Sequence, residues 1–285
     1  MSDRAESEST VPVRRITPEQ ASDREDRVAV EEPMEIRVVF GPADKRTARS
    51  LSVTMRTPGN DFDLAAGFLF TEAIITDPGQ IRKIEFCGSP APNRPTSNIV
   101  RVDLENDLDV DLGRLQRHFF TTSSCGICGK ASLEALHVQG IAPLRPTRPR
   151  VPRERIHDMP GALRSGQPLF ESTGGLHAAG LMGPDGSPSE VREDVGRHNA
   201  VDKLLGRRFL DGKTPLIDEA MVISGRASFE ILQKALVAGV AMIVAVGAPS
   251  SLAVEMAERF GMTLIGFASR ERFNVYTGHQ RIVEE

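Results

Sequence analysis

The chain of 285 residues is poor in the residues that several classes of site require. It contains three cysteines, one tyrosine and no tryptophan. So few cysteines exclude a disulfide-rich scaffold, and so few aromatic side chains argue against a platform that binds bases by stacking. The net charge of -4 lacks the positive field with which nucleic-acid binders neutralise phosphates, so we expect no nucleic-acid partner.

Long apolar runs are missing as well, and we expect no leader sequence. No apolar run is long enough to cross a bilayer, and the first residues lack a basic stretch followed by an apolar one. We therefore expect a cytoplasmic protein with no membrane partner. The content of 40% hydrophobic and 26% charged residues is ordinary for a globular protein, and the length allows two subdomains.

Changes in composition along the chain predict four segments. Residues 1–33 are rich in Ser, Glu, Asp and Arg and are predicted to be a disordered acidic tail. Residues 34–140 contain alternating strands and a helix over 62–75, which predicts a smaller N-terminal α+β subdomain that ends in a cysteine-bearing loop. Residues 141–152 are rich in Pro and Arg and predict a linker, and residues 153–285 predict an α/β core.

Two of the cysteines, Cys125 and Cys128, form a C-x-x-C pair surrounded by small residues. Four interpretations are open: half of a zinc site, a thioredoxin-like dithiol, a structural disulfide and a sulfur carrier. A closed zinc site needs four ligands, and the chain has no second C-x-x-C pair. No βαβ pattern precedes the pair, as a thioredoxin-like motif requires, and low cysteine usage disfavours a disulfide.

The surroundings of the pair favour a reactive thiolate. Lys130 follows it, and residues 130–136 predict a short helix whose dipole favours an anion just before its first turn. A nearby cation and a helix N-terminus both lower the pKa of a thiol. We therefore interpret Cys125 as the carrier of a persulfide sulfur, although the spacing alone is a weak signal. The third cysteine, Cys87, ends an alternating strand and is predicted to be a buried structural thiol.

The last third of the chain predicts a parallel α/β unit. Apolar strands at residues 220–223, 241–246 and 262–267 alternate with two amphipathic helices. Short links between such elements are typical of a parallel sheet with right-handed crossovers. Ligands bind beyond the carboxyl ends of such strands.

Three segments follow those strand ends, at residues 224–228, 247–251 and 268–274. The first two begin helices, whose free N–H groups and dipoles suit phosphate oxygens, and arginine suits bidentate phosphate binding. The candidate ligand residues are Ser224, Gly225, Arg226, Ser228, Gly247, Ser250, Ser251, Arg270 and Arg272. Alternatively, the serines cap helices and the arginines lie in solvent. No Walker A or dinucleotide fingerprint is present, which disfavours an ordinary ATPase or dehydrogenase.

Two histidines, His177 and His198, stand in turns of small residues. Either could act as a general acid or base, or could hold its loop by hydrogen bonds. We favour a ligand-facing position for both, because they are not on apolar faces.

Several motifs in this order resemble those of the formate dehydrogenase accessory sulfurtransferases, the FdhD family. They are SCGICG at residues 124–129, TGGLHAA at 173–179, EDVGRHNAVDK at 193–203, SGR at 224–226 and the run at 266–277. The resemblance covers residues 35–280 and leaves out the acidic tail.

The resemblance implies a sulfurtransferase that takes sulfur from a cysteine desulfurase as a persulfide. It passes the sulfur to the molybdenum bis(guanine dinucleotide) cofactor before the cofactor enters formate dehydrogenase. Cys125 would be the persulfide cysteine and Cys128 its partner. The cofactor, as bound acceptor, would contact Phe267, Ala268, Ser269, Arg270, Glu271 and Arg272. No permanent metal is expected. A homodimer is expected, since a loop of one subunit could then reach a site on the other.

The family's core is similar to the cytidine deaminase fold, so the resemblance implies an α-β-α core of that type. A zinc deaminase needs H-x-E at one helix start and P-C-x-x-C at the next. The corresponding turns here are RHNA at residues 197–200 and SGRA at 224–227, which lack those ligands. Two other functions stay open: a non-catalytic molybdenum-cofactor chaperone with the cysteines as metal ligands, and a zinc- or redox-regulated nucleotide-binding module.

Overall fold

The computed structural model describes residues 7–90, 97–106, 108, 142–144 and 147–284. Cys125 and Cys128 lie outside the described residues. The strands are β1 Glu8–Ile16, β2 Ala21–Ala29, β3 Glu32–Phe40, β4 Thr47–Arg56, β5 Ile81–Phe86, β6 Ile99–Leu104, β7 Val151–Pro152, β8 His177–Met182, β9 Pro188–Asp194, β10 Ala220–Ile223, β11 Met242–Ala245, β12 Thr263–Gly266, β13 Asn274–Thr277 and β14 Ile282–Val283. The α-helices are α1 Asp61–Thr71, α2 Arg153–Ser165, α3 Pro168–Thr173, α4 Arg197–Leu210, α5 Phe229–Val237 and α6 Ser251–Arg259.

The N-terminal segment forms a β-hairpin, which corrects the prediction of a disordered tail over residues 1–33 for its described part. Strands β1 and β2 pair antiparallel, with Glu8 opposite Ala29. The hairpin is tied to the rest of the chain by Ser7 Oγ, which donates to the Pro58 carbonyl at 2.8 Å. The Ser172 hydroxyl also donates to the Glu8 carboxylate at 2.7 Å. The prediction of disorder rested on the low apolar content of these residues. The hairpin is instead held by backbone and polar hydrogen bonds, which composition does not reveal.

The N-terminal sheet has the strand order β4-β3-β6-β5. Strands β3 and β6 run parallel, and the outer pairs run antiparallel. Helix α1 packs through Leu64 and Leu69 on a core that includes Ile36 and Val102 from this sheet. This mixed sheet with one helix matches the predicted strands and helix of the region.

The larger sheet has the order β13-β12-β11-β10-β8-β9. Strands β10, β11 and β12 run parallel, as predicted, and β8, β9 and β13 run antiparallel to their neighbours. One face is covered by α4, α5 and α6, and the other by α2. The predicted mixed α/β class is therefore confirmed, and its cytidine deaminase-like type stays a prediction, as do the subdomain boundaries.

Helices α1 and α4 cross at two glycines and join the two sheets. A Cβ at Gly67 would lie 1.9 Å from the Asp202 carbonyl oxygen, and one at Gly206 would lie 1.9 Å from the Asp63 carbonyl oxygen. No side chain larger than hydrogen fits at that separation. The glycines thus allow the two backbones to touch, which places the start of α4 beside the end of β4.

Candidate functional site

The three segments predicted after the parallel strands lie side by side at the carboxyl edge of the larger sheet. We call residues 224–228, 247–251 and 267–272 the edge loops. Backbone hydrogen bonds join them: Gly247 N donates to the Gly225 carbonyl at 3.0 Å, and Phe267 N donates to the Gly247 carbonyl at 3.1 Å. Ser250 N donates to the Ala227 carbonyl at 3.0 Å. The structure therefore brings the predicted ligand segments together in one surface.

Glycine at position 247 permits the first two edge loops to meet. A Cβ on Gly247 would lie 2.9 Å from the Gly225 carbonyl oxygen and 3.0 Å from the Arg226 amide nitrogen. Real side chains do not approach backbone atoms so closely, so alanine would push these loops apart. The loop contact depends on this glycine.

The serines of the edge loops have different roles. Ser250 Oγ accepts from the Ala253 amide at 3.2 Å and caps α6, as the simpler interpretation expected. Ser224 Oγ accepts from the Ala178 amide at 2.9 Å and fixes the first loop to β8. Ser251 is the first residue of α6 and is exposed. Each hydroxyl bonded in this way retains further capacity for a ligand, since a hydroxyl can both accept and donate.

Both predicted histidines lie at this edge. His177 begins β8, and a Cβ on Gly225 would lie 3.5 Å from its Nδ1. His198 lies in the first turn of α4, where its Nε2 is 2.9 Å from Glu230 Oε2 and 3.5 Å from Ser228 Oγ. The structure thus places both histidines around the first edge loop.

The sequence analysis did not identify two charged residues that lie beside these histidines, Arg197 and Glu230. Arg197 begins α4, and its buried Nε has no hydrogen-bond partner among the described residues. The Arg197 side chain also lies against the first edge loop, where a Cβ on Gly225 would be 3.9 Å from Arg197 Cδ. Glu230 pairs with His198, and the hydrogen bond from His198 lowers the pKa of this carboxyl. Arg197 could have been found as the residue beside His198, whereas nothing in the sequence shows that Glu230 reaches across from α5.

Burial lowers the pKa of His177, and the neighbouring Arg197 guanidinium and His198 imidazole lower it further. His177 is therefore neutral at pH 7, while the unfolded chain protonates it near its ordinary pKa of about 6.5. The unfolded state binds more protons below that pH, so this group makes stability fall as pH falls. We expect the urea midpoint to drop between pH 7.5 and 5.5, and His177→Gln to reduce the drop. An equal drop in both proteins would contradict this effect.

The third edge loop is held in one shape. Ser269 Oγ accepts from the amides of Glu271 at 3.3 Å and Arg272 at 3.1 Å. The Ser269 carbonyl contacts His157 Nδ1 at 3.2 Å. Arg270, Glu271 and Arg272 are exposed, so their side chains are accessible to a ligand.

Two neighbouring residues of this loop point in opposite directions. Phe267 has a φ of 53° and is 43% exposed. A bulky residue with positive φ has a strained backbone, and residues of this kind are found often at functional sites. Ala268 is 3% exposed and packs in the core on the α2 side of the sheet. Of the six residues implied by the resemblance, Ala268 therefore has no side chain to offer a ligand at this surface.

The described residues that flank the cysteine-bearing segment are attached away from the edge loops. Asn106 Oδ1 accepts from Arg46 at 3.0 Å, where β3 and β6 end. The Leu144 amide donates to the Phe260 carbonyl at 2.9 Å, just after α6 and before β12 begins. The roles predicted for Cys125 and Cys128 lie outside the described residues and stay predictions.

The described residues offer neither a clustered metal-ligand set nor a membrane span. They contain no group of three or more His, Cys, Asp or Glu side chains arranged to hold a metal ion. No helix in the described part of the chain is long and apolar enough to span a membrane.

Comparisons with known proteins give a consistent match. The model of the FdhD/NarQ family matches residues 29–283. The sulfur carrier protein FdhD of Streptomyces coelicolor is 45% identical over 263 residues, which are 92% of this chain and 90% of that protein. The sulfur carrier protein FdhD of Mycobacterium tuberculosis is 44% identical over 278 residues, which are 95% of this chain and 96% of that protein.

A solved structure gives the same match. A protein from Desulfotalea psychrophila, assigned as a formate dehydrogenase accessory protein, superposes with a TM-score of 0.71 at 25% sequence identity. The alignment covers 97% of this chain and 100% of that one.

Proposed function

The chain belongs to the FdhD/NarQ family, and we propose on that basis that it is a sulfur carrier protein required for formate dehydrogenase activity. The observation that carries the proposal is the match, over nine-tenths of both chains, to proteins named as sulfur carriers. The joined edge loops support it, because they form a surface suited to the phosphates of a large nucleotide-bearing acceptor.

We propose that the sulfur is held on Cys125 and comes from a cysteine desulfurase. The Cys125 thiolate attacks the outer sulfur of the desulfurase persulfide, and a new S–S bond forms on Cys125. The S–S bond of the donor breaks, and the desulfurase cysteine leaves as a thiolate. Cys128 is proposed as the partner thiol of this reaction.

The proposed acceptor is the molybdenum bis(guanine dinucleotide) cofactor, bound as a substrate at the edge loops. The N-termini of α5 and α6 present amide groups and positive dipole ends to its phosphates. Arg226, Arg270 and Arg272 are exposed beside them, and their guanidinium groups suit bidentate contacts to phosphate. A homodimer would place the sulfur of one subunit near the acceptor on the other.

Arg226→Ala is expected to weaken binding of guanosine diphosphate, a fragment of the proposed acceptor, by about 10- to 100-fold. This range corresponds to one charged hydrogen-bonding group worth about 1.5–3 kcal/mol. Isothermal titration calorimetry measures the change. Arg207→Ala is the control, because Arg207 is a half-buried arginine in the last turn of α4, where it pairs with Asp211 away from the edge loops. Equal affinities of Arg226→Ala and wild type would contradict the phosphate role of Arg226.

The proposed function is tested in cells that lack their own protein of this family. Expression of the chain should restore formate dehydrogenase activity, measured as formate-dependent dye reduction. A chain that is expressed and folded but leaves that activity at background would overturn the proposal.

A further inference from the structure

A fully buried carboxylate, that of Asp194, lies next to His177 and near the start of α4. Asp194 ends β9 opposite His177 and has 0% exposure. Its Oδ1 accepts from the Gly196 amide at 2.8 Å and from Asn199 Nδ2 at 3.0 Å. Its Oδ2 accepts from the Thr57 amide at 3.1 Å and lies 2.7 Å from Lys203 Nζ. All the donors come from the turns around the start of α4 or from α4 itself, except the amide of Thr57.

The partner of this carboxylate, Lys203, is also buried and also satisfied. It is 1% exposed, and its Nζ donates to the Thr57 carbonyl at 2.7 Å and to the Glu193 carbonyl at 3.4 Å, besides its contact with Asp194. A buried ion pair is tolerated only when its remaining donors and acceptors are bonded in this way. Removing either partner would leave an uncompensated charge.

The pair fastens two turns to each other. One turn, at Thr57, connects β4 to α1, and the other, at residues 195–196, connects β9 to α4. The Val195 amide adds a hydrogen bond to Thr57 Oγ1 at 3.2 Å. Helix α4 has no side-chain cap at Gly196, so Asp194, through the Gly196 amide and the Asn199 side chain, sets where the helix begins.

The two residues that follow this turn are Arg197 and His198. We propose that Asp194 and Lys203 are positioning residues, whose ion pair aims Arg197 and His198 at an anionic ligand on the edge loops without touching it. This inference rests on the proposed function, because it takes the edge loops as the ligand surface. Both members of the pair are too deeply buried to contact a ligand themselves.

The same helix supplies a matched control. Asp202 and Lys234 form a second buried ion pair, 3% and 6% exposed, in which Lys234 Nζ lies 3.0 Å from both carboxylate oxygens. Lys234 also donates to Thr71 and Glu72 at the end of α1. Its hydrogen bonds therefore join α4, α5 and α1 and reach no edge loop. We expect loss of this pair to cost stability without moving Arg197 or His198, because none of these hydrogen bonds reaches either residue.

The test compares Asp194→Asn with Asp202→Asn in the full chain, at a temperature where both remain folded by circular dichroism. Each replaces one buried carboxylate by an amide. We expect Asp194→Asn to weaken guanosine diphosphate binding by about tenfold or more, by analogy with the loss of about 10- to 100-fold when residues that orient metal ligands are changed. Asp202→Asn should bind as wild type does. The imidazole NMR signals of His198, which the pair is proposed to aim, should shift only in Asp194→Asn. His177 is not a readout, because the charge of Asp194 acts directly on its pKa.

Two results would overturn the proposal. One is wild-type binding and unshifted imidazole signals in Asp194→Asn, and the other is an equal loss in both variants, which would mean a general loss of structure. If Asp194→Asn does not fold, Asn199→Ser removes the Nδ2 contacts to Asp194 and the Met55 carbonyl and the Oδ1 contact to Thr54. It should weaken binding by about threefold, the effect of a neutral hydrogen bond worth about 0.5–1 kcal/mol. If wild type itself binds no guanosine diphosphate, the proposal that the edge loops bind this ligand is wrong. The imidazole shifts alone then decide whether Asp194 has a positioning role.

Discussion

Gly206→Ala is expected to lower the free energy of unfolding by about 3 kcal/mol or more, at the upper end of what overpacking costs. The added Cβ would lie 1.9 Å from the Asp63 carbonyl oxygen, and backbone atoms of two packed helices cannot move as a flexible side chain would. Gly67 faces the same crossing with a Cβ 1.9 Å from the Asp202 carbonyl oxygen. Relief of either clash requires α1 and α4 to separate, which breaks the joint between the two sheets.

Urea unfolding, followed by circular dichroism, measures this effect. Gly161→Ala is the control, because Gly161 also lies in a helix, α2, but an added Cβ there has no heavy atom within 4 Å. Alanine is the better helix former by about 1 kcal/mol, so this control should unfold at the wild-type midpoint or slightly above it. A Gly206→Ala midpoint equal to that of wild type would show that the helices do not cross as described.

Cys125→Ala is expected to abolish the restoration of formate dehydrogenase activity in cells that lack their own protein of this family. A persulfide forms only on a thiol, which alanine lacks, and Cys128 is proposed as the partner thiol rather than as the carrier. The measured quantity is formate-dependent dye reduction at matched levels of expressed protein. We expect activity at background.

The matched control is Cys87→Ala. Cys87 is a free thiol, half-buried after β5, and its amide donates to the Ile99 carbonyl at 2.9 Å as part of the N-terminal sheet. It lies in a structural setting, so its replacement should leave activity near wild type. Substantial activity of Cys125→Ala would remove the persulfide role from this cysteine and would favour a carrier site elsewhere or a cofactor chaperone.

The arrangement of the edge loops could be predicted from the sequence. Apolar runs such as residues 241–246 are typical of buried parallel strands, and the segments after such strands share one edge. The sequence did not predict the roles of individual side chains. Ser250 caps α6 and Ala268 packs inward, because local backbone direction decides which side chains face the surface.

The features missed by the sequence analysis all depend on contacts between distant segments. Asp194 meets Thr57 across more than a hundred residues, and Glu230 meets His198 from another helix. The hairpin of β1 and β2 is held at Pro58 and Ser172 rather than by an apolar pattern. Local periodicity carries no information about such pairings.

The most direct test of the central claim is intact-mass spectrometry after incubation with a cysteine desulfurase and cysteine. The account predicts that wild type and Cys87→Ala each gain one sulfur mass that is lost on reduction, and that Cys125→Ala gains none. No gain in wild type, with the desulfurase shown to be active, would contradict the claim that this chain carries sulfur. It would instead favour a molybdenum-cofactor chaperone whose cysteines bind the metal.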